Sequence, residues 1–355
     1  MKMGSQTKGI TTKALAEYLG VSKMTLSLYL RDPSTSRISK ELKENIETAM
    51  KKFNYTPSLK TQFNRGGKTK IIAVFMPFDN PIFKYEQIDA ILSGLQNTLF
   101  QNSYSLIFLK TSIEEGISVI DKQTLLQCMS FDGVVFLGTR YTRYERMDDF
   151  FKIFKDYKIP FVVLNMPDLP FDINQVIFRN DDTCAPVDFL FSLGHRNIVF
   201  MGGISESYQN IDALNEYKRA HKINGCKVNK DYVLDGGFEI NGAYDALGKF
   251  IKKGLPFSAI YALSMHMTAG CYKKLKEWRL RIPQNVSVIG YGDYYYSELL
   301  EPALSVVSLP LEEVGKRAAI LLIDKVNSLK TDNYHKIFLQ NKMIVRNSTS
   351  VYRSV

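Results

Sequence analysis

Cysteine, tryptophan and histidine are scarce in this 355-residue chain, at four, one and four residues. The cysteines Cys128, Cys184, Cys226 and Cys271 lie far apart and form no CxxC pair. They read as buried thiols and exclude a disulfide framework or a zinc site. The histidines are scattered, so no metal centre is expected. No stretch approaches the roughly 20 uninterrupted apolar residues of a membrane span. Residues 1–10 are polar and basic with no apolar segment behind them, so no secretory leader is expected and the cytoplasm is the expected compartment. There is no G-x-S-x-G, no Cys/His pair in register and no carboxylate dyad, so neither a catalytic residue nor a cofactor is expected. Gly67-Lys68-Thr69 ends like a phosphate-binding loop. However, Gln62 stands where such a loop needs glycine, and the segment precedes an apolar run instead of following one.

What is present is length and lopsided charge. The chain is long enough for two or three folding units. Lys and Arg number 46 against 36 Asp and Glu, a net charge of +10. Residues 1–70 alone hold 14 basic and 5 acidic residues. Almost all the excess therefore sits in the first fifth of the chain. A small basic module on a near-neutral large one points to a polyanion partner, most often nucleic acid.

The small module reads as three helices. Thr11 or Thr12 can cap the first, where Leu15 and Leu19 share a face, and Gly20 ends it. Val21 plugs the turn and Ser22 caps a second helix, Lys23 to Arg31, with Leu26 and Leu30 inward. Asp32-Pro33-Ser34 breaks it. Ser39 caps a third helix with Leu42, Ile46, Ala49, Met50 and Phe53 as its apolar stripe, and Asn54-Tyr55-Thr56-Pro57 closes the module. Helix, short glycine turn and helix make a helix-turn-helix.

The wording of this segment resembles the DNA-binding headpiece of LacI/GalR bacterial repressors. Leu15-Ala16-Glu17-Tyr18, Gly20-Val21-Ser22, Thr25-Leu26-Ser27 and Asn54-Tyr55-Thr56-Pro57 carry the likeness. The resemblance implies that the second helix enters the major groove. It places Lys23, Met24 and Leu28 at base-contacting positions, with Ser22, Thr25 and Ser27 near phosphates and Thr11 and Thr12 also on the DNA side. Relatives commonly carry arginine at the position of Leu28, and arginine reads guanine in a bidentate way. Met24 and Leu28 are apolar and suit thymine methyls, so a half-site richer in A·T is expected. The alternative for Leu28 is a place in the headpiece core.

Residues 58–70 are the expected hinge. The resemblance implies a helix in the minor groove with an apolar wedge between base pairs. The wedge position falls on Asn64, with Phe63 before it. Either Phe63 is the wedge in a slipped register, or nothing wedges and Lys60, Gln62, Asn64 and Arg65 sit in the groove.

From Ile71 onward, short runs rich in Val, Ile and Phe alternate with amphipathic stretches. Strands are expected at 71–76, 105–109, 133–137, 161–164, 176–178, 198–201, 232–234, 259–262, 286–289 and 306–309. Helices such as 85–101, 185–193 and 311–328 lie between most of them. The alternation implies an α/β architecture of parallel sheets flanked by helices. The strands are too many for one typical sheet, so two subdomains with a cleft are expected.

The same family's effector domain, shared with periplasmic sugar-binding proteins, resembles this part in order. Asp79-Asn80-Pro81-Ile82-Phe83, Phe131-Asp132-Gly133, Leu193-Gly194-His195-Arg196, Arg281-Ile282-Pro283 with Val286 to Tyr291, and Ile344-Val345-Arg346-Asn347-Ser348-Thr349 carry the likeness. The expected organisation is a headpiece at 1–57, a hinge at 58–70 and a two-subdomain, periplasmic-binding-protein-like effector and dimerisation domain at 71–355. His195, after Gly194, is expected to bond nearby backbone.

The cleft is where the chain departs from that pattern. Relatives grip ligands with an arginine where Ile211 or Ala213 stands here. An asparagine and an aspartate become Ser264 and Met265, a first aspartate becomes Gly292, and another becomes Arg179. Sugar hydroxyls are held by such charged and amide groups. Two readings stay open. The cleft takes a different small molecule, sugar-type or other, using Asp79, Phe83, Tyr85, Tyr208, Phe238, Ser264, His266, Tyr291 and Asp293. Arg140, Arg143 and Arg179 leave room for an anionic one. Alternatively there is no small effector, and a protein partner or expression level sets activity. The expected role is a homodimeric repressor on an inverted-repeat operator, cytoplasmic and nucleoid-associated; the rival is a weakly specific architectural DNA-binding protein.

Overall fold

A computed structural model describes residues 10–31, 33–53, 55, 68–76, 86–110, 112–114, 117–119, 128, 130–138, 147–166, 169, 172–180, 185–328 and 333–353. The chain divides into two compact units, Met1–Ile71 with Met129–Asp132, and Ile72–Cys128 with Gly133–Val355.

The small unit contains α1 (Thr12–Tyr18), α2 (Lys23–Arg31) and α3 (Lys40–Lys52). Each start is fixed by a hydroxyl that takes an orphan amide of the first turn. Thr11 accepts from the Ala14 amide at 3.2 Å, Ser22 from Thr25 at 3.0 Å and Ser39 from Leu42 at 3.3 Å. Gly20, at φ 65°, turns the chain between α1 and α2. The helices enclose Leu15, Ala16, Leu26, Tyr29, Ile38, Ile46, Ala49 and Tyr55. Leu30, Leu42, Met50 and Phe53, expected in the core, are half-buried at its edge. Tyr29 takes an inner place instead, since its ring can be buried while its hydroxyl donates to Glu47 at 2.8 Å. Tyr55 and Thr12 share a 2.6 Å hydrogen bond that ties the end of the module to its first helix.

In the same unit, the Thr69 amide and hydroxyl both donate to Asp132 Oδ1, at 2.6 and 2.8 Å, and the Lys70 amide donates to Oδ2 at 3.1 Å. The Asp132 of the Phe131-Asp132-Gly133 motif thus holds the residues that lead into the first strand.

The large unit contains β1 (Ile71–Met76), α4 (Glu86–Gln101), β2 (Ser105–Lys110), β3 (Ser112–Glu114), β4 (Ile117–Val119), β5 (Gly133–Leu137), α5 (Met147–Asp156), β6 (Phe161–Leu164) and β7 (Gln175–Arg179). It continues with α6 (Pro186–Ser192), β8 (Ile198–Gly202), α7 (Tyr208–Ile223), β9 (Val233–Asp235), α8 (Ile240–Lys252), β10 (Ala259–Ala262), α9 (Met265–Glu277) and β11 (Ser287–Tyr291). It ends with β12 (Ser305–Ser308), α10 (Leu311–Asn327), β13 (Lys336–Gln340) and β14 (Lys342–Ile344).

Twelve of these strands form two six-stranded sheets, β13-β7-β6-β5-β1-β2 and β14-β12-β11-β10-β8-β9, and β3 pairs antiparallel with β4 apart from them. The pairings from β1 through β5, β6 and β7 to β13 are parallel. In the second sheet only β14 runs antiparallel, against β12. Each sheet with its helices is one lobe. The chain passes between lobes after β7, after β12 and between β13 and β14. Every strand read from the sequence is present, some shifted by a residue or two. The strands β3, β4, β13 and β14 were not anticipated. Each is too short, or too interrupted by Lys and Gln, to signal a strand by itself.

Helix α10 follows a strand of the second sheet yet packs on α4 and against β5, β6 and β7 of the first. Glycines permit that return. A Cβ on Gly94 would lie 2.0 Å from the Glu312 carbonyl oxygen, and one on Gly315 would lie 2.0 Å from that of Ile91. The two backbones therefore touch, and any side chain at either position would force them apart.

Candidate nucleic-acid interface and inter-lobe site

On α2, Lys23 and Met24 are exposed, Met24 at 78%. Ser27 is half-buried. The Ser22 and Thr25 hydroxyls lie 2.9 Å apart within the helix cap, so both are already engaged there. Leu28 is half-buried and packs against the core of the small unit. That placement favours the core alternative over a free groove contact, because its contacts leave only part of the side chain for anything else. Thr11 is exposed at the cap, whereas Thr12 is half-buried on Tyr55. Lys52 was not singled out from the sequence. Its Nζ donates to the Tyr18 hydroxyl at 2.9 Å and lies 5.0 Å from the ring centre, which makes a cationic corner of α1 and α3. The hinge candidates Lys60, Gln62, Phe63, Asn64 and Arg65 lie outside the described residues.

In the large unit, Asp79, Phe83 and Tyr85 also lie outside the described residues, as does the Tyr208 side chain. The remaining effector candidates are placed, and most are committed elsewhere. Ser264 caps α9, accepting from the Met267 amide at 3.2 Å. His266 is half-exposed in the next turn, and Tyr291 is buried. Phe238, expected as a ligand-stacking aromatic, is 1% exposed. Its ring lies over Gly203, where a Cβ would approach it to 2.1 Å. In this arrangement the ring is enclosed within the core of the large unit.

Asp293 is paired with Arg346. Its Oδ1 and Oδ2 each lie 3.0 Å from a guanidinium nitrogen of Arg346. Arg346 also reaches Glu298 at 3.1 Å and the Leu304 carbonyl at 2.9 Å. The hydrogen bond to Asp293 raises the Arg346 pKa further, so the guanidinium stays charged. The ion pair braces the C-terminal segment, while Oδ1 itself accepts no hydrogen bond among the described residues. Arg179 lies with its guanidinium 4.4 Å from the Phe338 ring centre. Arg140 and Arg143 are outside the described residues. Ala213 and Met265 are buried, and Ile211 is exposed.

His195 does bond its surroundings, with Nδ1 2.9 Å from the Ser258 hydroxyl and Nε2 3.1 Å from the Ser350 carbonyl. Burial lowers its pKa. His221, bonded to the Tyr217 carbonyl at 2.8 Å, is lowered by burial too.

Among the described residues, polar links that the sequence reading did not assign join the lobes. Asn180, just past β7, donates to Glu216 of α7 at 2.8 Å and accepts from Asn341, between β13 and β14, at 2.7 Å. Burial raises the Glu216 pKa, as it does that of Asp212 one turn earlier. Another link runs from Tyr296 to Glu86 of α4. Among the described residues, no group of three or more His, Cys, Asp or Glu is placed to hold a metal, and no helix is long and apolar enough to cross a membrane.

Comparison with known proteins matches residues 11–58 to the bacterial regulatory proteins of the lacI family, and residues 187–349 to the periplasmic binding protein-like domain. The ribose operon repressor of Escherichia coli is 26% identical over 320 residues, covering 89% of this chain and 93% of that protein. The HTH-type transcriptional repressor PurR of Pectobacterium carotovorum is 25% identical over 343 residues, covering 96% and 97%. The lac repressor dimer bound to operator and the anti-inducer ONPF superposes with a TM-score of 0.78 at 19% identity, over 97% of this chain and all of that one (100%). A LacI family regulator from Enterococcus faecium with bound ribose superposes with a TM-score of 0.64 at 20% identity, over 80% of this chain and 100% of that one. At these identities, the superpositions bear on the fold alone.

Proposed function

The chain is a member of the lacI family of bacterial regulatory proteins, and from that premise we propose that it is a DNA-binding transcriptional repressor that acts as a homodimer on an inverted-repeat operator. The observation that carries the reading is the exposed Lys23–Met24 face of α2, in the module that matches the family at residues 11–58. A paired helix-turn-helix reads two half-sites across one face of the duplex. In this reading Lys23 offers base edges a charged donor, and the methionine offers thymine methyls an apolar contact. The chain performs no catalysis in this reading and works in the cytoplasm, on the nucleoid. Residues 1–57 are its headpiece, 58–70 its hinge and 71–355 its regulatory and dimerisation part.

Selection of bound duplexes from random DNA with the full chain tests the reading. The expected product is an inverted repeat with A·T-rich half-sites, bound at least a thousandfold more tightly than random duplex, the low end for specific recognition. A ratio near unity points to an architectural protein instead.

A small molecule between the lobes would shift the population of DNA-competent states. The ribose repressor and the ribose-bound neighbour make sugars the first ligands to try. A second reading, with no small effector, is favoured by the buried Ala213 and Met265, and by Asp293 closed on Arg346. A thermal-shift panel of sugars, sugar phosphates, nucleosides and amino acids on the full chain separates the two. A ligand at a hundred times its Kd stabilises by about 2.7 kcal/mol, whereas a blank panel favours the second reading.

A further inference from the structure

Tyr294 and Tyr296 of the second lobe meet Glu86 and Gln87 of the first. The Tyr296 hydroxyl donates to the Glu86 carboxylate. The Tyr294 hydroxyl meets the side chain of Gln87, and its ring stacks on that of Tyr296 with centres 5.8 Å apart. Glu86 and Gln87 open α4, while Tyr296 sits in the single 3-10 turn Tyr295–Ser297 that follows β11. Two phenols from one lobe thus hold one helical turn of the other. Burial first, and then Glu86, keep both tyrosines well above their ordinary pKa, so both stay neutral and Tyr296 keeps the proton it donates.

Gly292 makes room for this arrangement. Its φ is +96°, and a Cβ there would lie 2.5 Å from the Tyr294 ring and 2.7 Å from its hydroxyl. Position 292 forgoes a side chain, and the space beside it at the end of β11 is filled by the chain's own phenol. Any residue larger than glycine would push the ring away.

We propose that Tyr294 and Tyr296 are a built-in latch, bridging the lobes as a bound small molecule would and holding them in one arrangement without a ligand. The inference rests on reading the inter-lobe region as the regulatory site, and it deepens that reading. A molecule that competes with the Tyr296 phenol by offering Glu86 a donor of its own would be a hydroxyl- or amine-bearing compound, not a pure acceptor.

The test is amide hydrogen exchange on the full chain without DNA or ligand, comparing the parent with Tyr296→Phe, Tyr294→Phe/Tyr296→Phe and Gly292→Ala. The reporters are the amides of residues 90–95 in α4 and those of Ser297, Leu299 and Leu304, which bond within the tyrosine turn. Loss of a hydrogen bond to a charged group is expected to speed local opening about tenfold in both segments, with β8, β10 and β11 unchanged. Gly292→Ala should affect the same two segments, because it evicts Tyr294. Unchanged exchange in α4 would overturn the latch. So would a uniform rise across the second lobe, since that would show ordinary packing. Operator binding enters neither measurement, so a failure of the DNA reading would be seen separately.

Discussion

Arg346 donates from Nη2 to Asp293 Oδ2 at 3.0 Å, and its Nη1 lies 3.0 Å from Oδ1, an ion-pair contact without a hydrogen bond. Both side chains are largely shielded from solvent, at 13% and 20% exposure. Removing Asp293 leaves the Arg346 charge with Glu298 and the Leu304 carbonyl as its partners. Asp293→Asn is expected to destabilise the large unit by about 1.5–3 kcal/mol, the range for a hydrogen bond to a charged group, read as a lower urea midpoint with unchanged slope. An unaltered midpoint would return Asp293 to the list of available ligand groups.

Acid is expected to weaken the second lobe. Burial holds His195 and His221 below the ordinary histidine value of 6.5. The unfolded chain therefore binds protons that the folded chain refuses. Their contribution is intact above pH 6.5 and is lost as pH falls from there through the folded values. The raised carboxyls Asp212 and Glu216 act with the opposite sign: their contribution is full at acid pH and is lost as pH rises through their folded values. Comparing the parent with His195→Gln and with Glu216→Gln, by denaturation between pH 5 and pH 7.5, separates the two. The histidine variant should flatten the acid loss, and the glutamate variant should steepen it.

Gly315→Ala is expected to cost about 3 kcal/mol or slightly less, because overpacking at a rigid contact displaces backbone. Its Cβ would meet the Ile91 carbonyl oxygen at 2.0 Å, and that oxygen belongs to helix backbone that cannot swing aside. A thermal midpoint within a degree of the parent would show that α4 and α10 can separate freely.

Lys23→Ala and Met24→Ala should both weaken binding to a selected operator, but only the lysine change removes a charge from the DNA-facing helix, so only it should reduce the salt slope. Loss of an apolar base contact costs about 1–3 kcal/mol on the preferred half-site and little on random DNA. Anisotropy titrations at several salt concentrations measure both effects. If Met24→Ala leaves the preference intact, the A·T-rich reading of the half-site fails.

The small unit was legible in the sequence because its determinants are local. Thr11, Ser22 and Ser39 cap the helices they immediately precede, Gly20 turns the chain where it stands, and Leu15, Leu26 and Ile46 meet within a few helical turns. The strands of the large unit were legible for a related reason, since a buried parallel strand must be almost wholly apolar. Tertiary structure alone decided the rest. Lys336–Gln340 and Lys342–Ile344 are strands only because β7 and β12 offer them edges. Gly94 and Gly315 bring α10 back to the first lobe, Gly203 gives Phe238 its seat, and Gly292 gives Tyr294 its own. The pairing of Asp293 with Arg346, 53 positions away, has no signal in the sequence. Periodicity and caps record what a segment does with its neighbours in sequence. Which distant charge, ring or backbone fills the remaining space is settled only when the sheets have formed.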